Sequence, residues 1–103
     1  MKRFFCLFLN TEGELTDERE EHIRTYHFEV APFLKRIGSI LTDPEEVRQS
    51  VYDAEVILFY KFFSDVRSGN FLVVVVKKNV RSFILTYSMT TKIRGGTQLW
   101  KRG

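Results

Sequence analysis

Two histidines in the first third of the chain are the residues best suited to move a proton near neutral pH. His22 and His27 are five positions apart, which corresponds to about 140° around an α-helix. Since we expect both to lie in one helix, at most one of them should point into a given site. Either can serve as a general acid or base; the alternative is a polar histidine on the helix surface.

Cleavage of RNA without a metal ion needs few groups beyond such a histidine. The ribose 2′-OH must lose a proton, the 5′-oxygen must gain one, and the phosphate needs cations or hydrogen-bond donors around it. Arg24 lies between the histidines, and Lys61 interrupts an apolar run. Thr86 and Ser88 supply hydroxyl groups on the last predicted strand. Simple solvent exposure is the alternative interpretation of Lys61.

Other kinds of site are disfavoured by the sequence. Gly95-Gly96 lacks a predicted strand before it and a predicted helix after it, so it is not a glycine-rich phosphate loop. The single cysteine, Cys6, excludes an internal disulfide and makes a structural zinc site implausible. The acids cluster at predicted helix starts, where they stabilise the positive end of the helix. We therefore expect no metal ion and no cofactor.

The charge of the chain is unevenly distributed. Residues 1–57 contain seven Lys and Arg and twelve Asp and Glu, whereas residues 58–103 contain nine Lys and Arg and one acid, Asp65. A basic half of this kind suits a polyanion such as RNA, with Lys92 and Arg94 in the tail as further candidate RNA contacts. The alternatives are that the basic half packs beside the acidic half or that its lysines protect sheet edges.

The N-terminus superficially resembles a secretory signal peptide. Met1–Arg3 is basic and Phe4–Leu9 is apolar, but this stretch is too short and leads into Asn10–Glu12 without a small-residue cleavage site. No segment approaches the length of a membrane span. We expect a cytoplasmic protein with no membrane association, in which Cys6 is a buried, reduced thiol.

The first elements of the chain are a predicted strand and a predicted helix. Residues 3–9 predict a short buried strand, and residues 10–13 predict a turn. Thr16 is followed by several acids, which predicts the capped start of a helix that continues to about His27.

Two further helical segments are predicted before the sequence pattern changes to that of strands. Pro32 suits the first turn of a second helix. The motif Asp43-Pro44-Glu45-Glu46 predicts a capped restart and a third short helix that ends near Ser50. The second helix is expected to form the core against the later strands, through Phe33, Leu34, Ile37 and Leu41 against Val73 or Val74, Val75 and Phe83 or Leu85.

The second half of the chain predicts an antiparallel meander. Glu55–Phe63, Phe71–Lys77 and Phe83–Met89 are rich in Val, Ile, Phe and Tyr and are separated by hairpin-type connections. Leu72–Val76 is apolar on both faces, so it should be the central strand. We therefore predict one α+β domain over residues 1–103, in which two to three N-terminal helical segments pack on a four-stranded, mainly antiparallel sheet.

Several short segments follow one another in a recognisable order: His22–Arg24, His27–Glu29, Leu41–Val47, Leu58–Lys61, Leu72–Lys77, Phe83–Thr86 and Lys92–Gly96. In order and spacing they resemble the phage- and toxin-associated ribonuclease-like domains that are grouped with barnase, EndoU, the colicin tRNases and RelE. The resemblance covers roughly residues 15–100. It implies an α+β fold with helices before a curved antiparallel sheet. It also implies RNA cleavage by a helix histidine, a basic strand residue and a hydroxyl on the late strand.

The chain departs from this family at two of the segments. Relatives tend to show His-Pro-Glu where this chain has His27-Phe28-Glu29, and Thr-Ala-Tyr where it has Thr86-Tyr87-Ser88. The second change moves the tyrosine by one position, which turns it to the opposite face of a strand. A site that used that hydroxyl would have Ser88 instead.

Two functions follow as hypotheses. The first is a metal-independent ribonuclease of toxin type, with RNA as substrate and an antitoxin protein as partner. A histidine would be its acid–base group, with a preference for His22 because mid-helix residues are held rigidly. Arg24 and Lys61 would bind phosphate, and Thr86 and Ser88 would donate hydrogen bonds. The second hypothesis is a non-catalytic RNA- or protein-binding module of the same fold. The first requires a histidine, Lys61 and a late-strand hydroxyl to converge on one concave basic surface.

Overall fold

The apolar, β-branched runs in the second half of the chain form the three longest strands. In the computed structural model, which describes residues 1–103, these are β4 (Val56–Phe63), β5 (Asn70–Lys77) and β6 (Ser82–Thr90). They pair antiparallel in chain order, so the predicted meander is confirmed. β5 is the middle strand of the whole sheet, as its two apolar faces predicted.

The sheet has seven strands, and the prediction of a four-stranded sheet is wrong. The additional short strands are β2 (Thr11–Leu15), β3 (Glu46–Gln49) and β7 (Thr97–Lys101), beside the predicted N-terminal strand β1 (Lys2–Cys6). Their order is β1-β2-β6-β5-β4-β3-β7. The sheet is mixed, because β2 and β6 are parallel while all other neighbours are antiparallel. The helices come after the first two strands rather than before the sheet.

The predicted third helix is a strand. The proline and acids at residues 43–46 are typical of a helix start, but the segment lies between β4 and β7 and hydrogen-bonds to both. Within β3, Val47 pairs with Phe59 and is fully buried, while its neighbour Arg48 is half-buried. Tertiary pairing has overridden a local capping pattern.

The helical layer is shorter and more irregular than predicted. α1 spans Asp17–Tyr26, and the side chain of Thr16 caps it by accepting a hydrogen bond from the Arg19 amide at 3.1 Å. A 3-10 segment over Phe28–Arg36 is interrupted by the non-helical backbone of Phe33. The chain then forms α2 (Ile37–Thr42). None of the helices is both long enough and apolar enough to cross a membrane.

One face of the sheet, here called the covered face, carries the helices. The register aligns Val47, Phe59, Val74 and Tyr87 in one row across β3, β4, β5 and β6. All four are buried in the same cluster as the apolar residues of α1, the 3-10 segment and α2. Burial of these side chains is the main source of stability in the molecule.

The predicted core is partly correct. Leu34, Ile37, Leu41 and Val74 belong to the central cluster, and Phe33 packs against it. Val75 of β5 faces the open side and is only half-buried. The β6 residues also differ from the prediction: Ile84 and Tyr87 are buried, whereas Phe83 and Leu85 are only half-buried. The reason is an irregularity in the β5–β6 register between Val75 and Val76, which pairs Thr86 with Val75 but Ile84 with Val76.

The opposite face of the sheet, here called the open face, carries no helix. Residues 91–96, here called the crossing segment, lead from β6 to β7 across this face, past the three strands that separate them in the sheet. The Tyr60 hydroxyl donates to the Arg94 carbonyl at 3.4 Å, and the Arg48 guanidinium donates to the Gly95 carbonyl at 2.6 Å. These bonds hold the crossing segment on the sheet.

Candidate functional site

The sheet separates the residues that the sequence predicted to form one site. Lys61 is aligned with Leu72 and Met89, in a row that faces the helices. Thr86 and Ser88 alternate with the buried Tyr87 on β6 and therefore face the open side. Both histidines lie with α1 on the covered side. The predicted combination of a histidine, Lys61 and a late-strand hydroxyl is not brought together.

The two histidines are closer to each other than helical geometry predicted. Their ring centroids are 6.4 Å apart. The expectation of about 140° between them assumed that both are helical, whereas α1 ends at Tyr26 and His27 has non-helical backbone angles, φ −129° and ψ 51°. His22 packs on the Tyr26 ring at 4.8 Å, and His27 Nδ1 lies 3.8 Å from Glu29 Oε1.

Both cations that were predicted to bind phosphate have carboxylate partners. Arg24 lies 3.0 Å from Glu20, one helical turn earlier. Lys61 Nζ lies 3.0 Å from Asp43 Oδ2 and donates to the Asp43 carbonyl at 2.8 Å. The hydrogen bond from Lys61, and then the charges of Lys61 and Arg102, lower the pKa of Asp43. A phosphate would have to displace these carboxylates.

The hydroxyl groups of β6 fall into two classes. Tyr87 is fully buried on the covered face, and its hydroxyl donates to the Phe33 carbonyl at 2.9 Å. Burial raises the pKa of Tyr87 well above its usual value. On the open side, Thr86 Oγ1 is buried without a hydrogen-bond partner, and Ser88 is half-buried. The shifted tyrosine is therefore a structural group, on the opposite face from Ser88 as predicted.

A different set of cations is available for a ligand. Nine of the sixteen Lys and Arg side chains lie within 4.0 Å of a carboxylate. The remaining seven have no carboxylate partner: Arg19, Lys35, Arg67, Lys78, Lys92, Arg94 and Lys101. Of these, Arg67 follows β4, Lys92 and Arg94 lie in the crossing segment, and Lys101 lies in β7.

Two clefts connect Arg67 and Lys101 to the end of the sheet at which Phe71 lies, and Lys92 and Arg94 follow Thr90 in the crossing segment. Phe71 pairs with Phe62 on one side and with Thr90 on the other. A cleft of about 620 Å³ lies at the edge between the two faces and is lined by Arg67 and Thr90 together with Phe28, Glu29 and Met89 of the covered side. A second cleft of about 430 Å³ lies beside Phe71 and is lined by Lys101 and by two acids, Glu45 and Glu46. We call this surface the basic end and define it by Arg67, Lys92, Arg94 and Lys101 with Phe62 and Phe71.

Two aromatic rings lie among the cations of the basic end. Phe62 is 44% exposed, and its ring packs edge-to-face on Phe71 at 5.3 Å. Tyr60 packs on the other side of Phe71 at 6.4 Å. An exposed aromatic side chain beside unpaired cations offers both a stacking surface for a base and charges for its phosphates.

The turn that carries Arg67 has an unusual backbone. Arg67 and Ser68 have positive φ angles of 46° and 63°, in a region that non-glycine residues seldom adopt, and Gly69 follows with φ 116°. The Asn70 side chain donates to the Val66 carbonyl at 3.1 Å, which ties the turn together. Side chains held in sparsely populated conformations are often found at functional sites.

Metal-binding groups are dispersed in this molecule. No three His, Cys, Asp or Glu side chains lie close enough together to hold a metal ion. Cys6 is fully buried, as predicted, and burial raises the pKa of its thiol.

No protein-family model, no curated protein and no solved structure matches this chain. The resemblance to ribonuclease-like domains therefore stays an expectation from sequence. Lys92 and Arg94 are the predicted site residues that belong to the basic end. Sequence reasoning missed Arg67, Lys101 and the two phenylalanines, although the excess of cations after residue 58 pointed to this half of the chain.

Proposed function

We propose that this protein binds single-stranded RNA at the basic end of its open face. The observation that carries the proposal is the presence, at one end of the sheet, of four cations without carboxylate partners and of the exposed ring of Phe62. Elsewhere most cations are neutralised by neighbouring acids. A cytoplasmic location, where RNA is accessible, is part of this proposal.

Physical chemistry explains why this surface suits a single strand. Cations that neutralise phosphates release counterions, which drives binding of any nucleic acid. In a duplex the bases are already stacked, whereas a single strand can place a base on an aromatic ring, and each such contact is worth about 1–3 kcal/mol. Phe62 gives the surface a preference for unpaired bases, and the cations give it affinity.

A charge-matched pair of variants tests the proposal. One variant carries Arg67→Gln, Lys92→Gln and Arg94→Gln, and the control carries the same loss of charge at the remaining unpaired cations, Arg19→Gln, Lys35→Gln and Lys78→Gln. Fluorescence anisotropy of a labelled oligouridine of about ten nucleotides measures binding. We expect the first variant to bind at least about tenfold more weakly than the control.

Salt dependence supplies the second part of this experiment. Each phosphate contact to a single strand contributes a slope of about −0.7 to the plot of log K against log salt concentration. Four contacts predict a slope of about −3 for the parent protein and about −1 for the first variant. Absence of binding at low salt, or equal weakening in both triple variants, would remove the basic end as an RNA site.

A metal-independent ribonuclease, as the sequence resemblance implies, is the second candidate. Glu29, which neighbours His27, lines the same cleft as Arg67 and Thr90. We propose that His27 or Glu29 would take the proton of the ribose 2′-OH. The 2′-oxygen would then bond to phosphorus, the bond to the 5′-oxygen would break, and that oxygen would take up a proton from the other of these two groups, in its protonated form. Arg67 would stabilise the phosphate. An antitoxin partner belongs to this candidate alone.

The two histidines provide the test of cleavage. Total tRNA is incubated with the parent, His22→Ala and His27→Ala proteins in EDTA, and products are resolved on a denaturing gel. Because His27 neighbours Glu29, which lines the cleft, we expect His27→Ala to abolish cleavage and His22→Ala to retain most of it. If both variants cut RNA as well as the parent does, no histidine is catalytic and the binding function stands alone.

A further inference from the structure

The two edge strands of the sheet differ in what lies beside them. At one edge, β1 is joined to α1 by ion pairs from Met1 to Asp17 and from Lys2 to Glu20. At the other edge, β7 pairs only with β3, and all five of its residues are exposed. An exposed edge strand presents unpaired backbone donors and acceptors to another extended chain.

An apolar cleft lies beside this exposed edge. Its volume is about 300 Å³, and its lining includes Leu7, Phe8, Pro44 and Trp100. Leu7 is 60% exposed and Trp100 is 40% exposed. Contiguous exposed apolar side chains mark interaction sites, and tryptophan is among the residues that contribute most to protein interfaces.

The charge around the edge indicates what kind of chain fits there. Residues 91–103 contain four Lys and Arg and no acid. The one carboxylate in the cleft, Asp43, is already paired with Lys61 and Arg102. A second copy of this protein paired through β7 would bring two such basic segments together, and like charges opposite one another destabilise strand pairing. Glu45 and Glu46 also lie beside Lys101, where Glu46 is paired with Arg48 and Glu45 accepts a hydrogen bond from the Phe62 amide. An acidic chain is attracted by the cations of residues 91–103, which outnumber these acids.

We propose that β7 and this cleft form a docking site for an acidic, extended segment of another protein. The segment adds a strand to the edge, its alternate apolar side chains enter the cleft beside Trp100, and its acids face Lys101 and the neighbouring cations. This surface is distinct from the RNA site proposed above, apart from Lys101, and neither proposal depends on the other.

Trp100 is the only tryptophan in the chain, so its fluorescence reports directly on the cleft. The probe is a peptide of about seven residues that alternates Glu with Val or Leu, long enough to span the five residues of β7. Two control peptides replace Glu by Lys or carry N-methyl groups at alternate residues, which block strand pairing. The protein variants are Leu7→Glu in the cleft and Val80→Glu, which is fully exposed in the β5–β6 turn.

The expected result is a saturable blue shift of Trp100 emission with the glutamate peptide. The apparent affinity should fall at least about tenfold for both control peptides and for Leu7→Glu, with Val80→Glu unchanged. No saturable shift up to about 1 mM peptide would overturn the proposal, as would equal binding of the N-methylated peptide. A shift produced by protein concentration alone would assign the edge to a second copy. A shift produced by oligouridine but not by the peptide would assign it to RNA.

Discussion

Two neighbouring hydroxyl groups on β6 illustrate how different the two faces of the sheet are. On the covered face, Tyr87 is fully buried and hydrogen-bonded to the Phe33 carbonyl. One residue earlier, Thr86 faces the open side, and its buried hydroxyl has no partner. The covered face is packed beneath the helices, whereas the open face retains an unsatisfied polar group and cations without carboxylates.

Because of this difference, substitutions on the covered face should affect stability, and substitutions on the open face should affect binding. The helices cover one face with apolar side chains, so changes there should alter folding. The open face is held only by the crossing segment, so its cations and aromatic rings can be changed with less effect on the fold. Function and stability can then be tested independently, with matched substitutions on each face.

The largest effect is expected in the covered core. Leu41 is fully buried against the sheet, so Leu41→Ala removes buried apolar surface and leaves a cavity. We expect a loss of about 2–5 kcal/mol in the free energy of unfolding, measured by urea denaturation. The control Leu7→Ala, at a largely exposed leucine, should lose about 1 kcal/mol or less. A loss under about 0.5 kcal/mol at Leu41 would contradict the position of α2.

The next effect concerns the crossing segment. Gly96 has φ +72°, and a Cβ atom there would lie 2.6 Å from the Gln49 carbonyl oxygen. Gly96→Ala should therefore destabilise the protein by about 2–3 kcal/mol, from backbone strain and the clash together. Its neighbour Gly95 has φ +66° but no atom within 4 Å of the added Cβ, so Gly95→Ala should lose only about 1 kcal/mol. Equal melting temperatures of the Gly96→Ala and Gly95→Ala variants would mean that the crossing segment does not pack on β3.

Removal of each of the two β6 hydroxyls should change the free energy of unfolding in a different direction. Tyr87→Phe removes a buried hydrogen bond and should lose about 1 kcal/mol of stability. Thr86→Val removes a hydroxyl that has no partner, so the variant should be unchanged or stabilised by up to about 1 kcal/mol. Urea denaturation of the two single variants gives both values. Destabilisation by Thr86→Val of more than about 1 kcal/mol would show that this hydroxyl has a partner.

The smallest effect is the pH dependence of the exposed ion pairs. Hydrogen bonds from Lys61, Lys77 and Arg36 lower the pKa values of Asp43, Asp53 and Asp65 respectively. A carboxyl whose pKa is lower when folded stabilises the protein above its unfolded pKa of about 4, and this contribution is lost as pH falls through the folded value. Urea midpoints should therefore decrease below about pH 4, and less so at high salt. Asp43→Asn should make this decrease smaller. If the urea midpoint of this variant depends on pH as it does in the parent, the Lys61–Asp43 pair is contradicted.

The parts of the fold that could be predicted were those with strong local patterns. β4, β5 and β6 are long and rich in β-branched residues, and Thr16 caps α1 as its sequence indicates. The short strands could not be predicted in the same way. The residues of β3 follow a helix-capping motif, and β7 becomes a strand because the crossing segment delivers it to the edge of β3. Their pairing partners are distant in sequence.

The candidate site was less predictable than the fold. Strand alternation correctly placed Tyr87 and Ser88 on opposite faces, because it depends only on local geometry. Whether a cation is paired depends on contacts that sequence does not reveal, such as Lys61 with Asp43. The relation between the histidines depended on whether His27 is itself helical, and sequence does not reveal that the last helical residue is Tyr26.

Amide chemical-shift mapping with oligouridine tests most directly whether the open face binds RNA. The spectrum of isotope-labelled protein is recorded as the oligonucleotide is added at low salt. The division between the two faces predicts that the largest shifts occur in the turn after β4, around Arg67, and at Thr90–Arg94, with little change in α1. Shifts concentrated in α1, or no shifts at all, would contradict it.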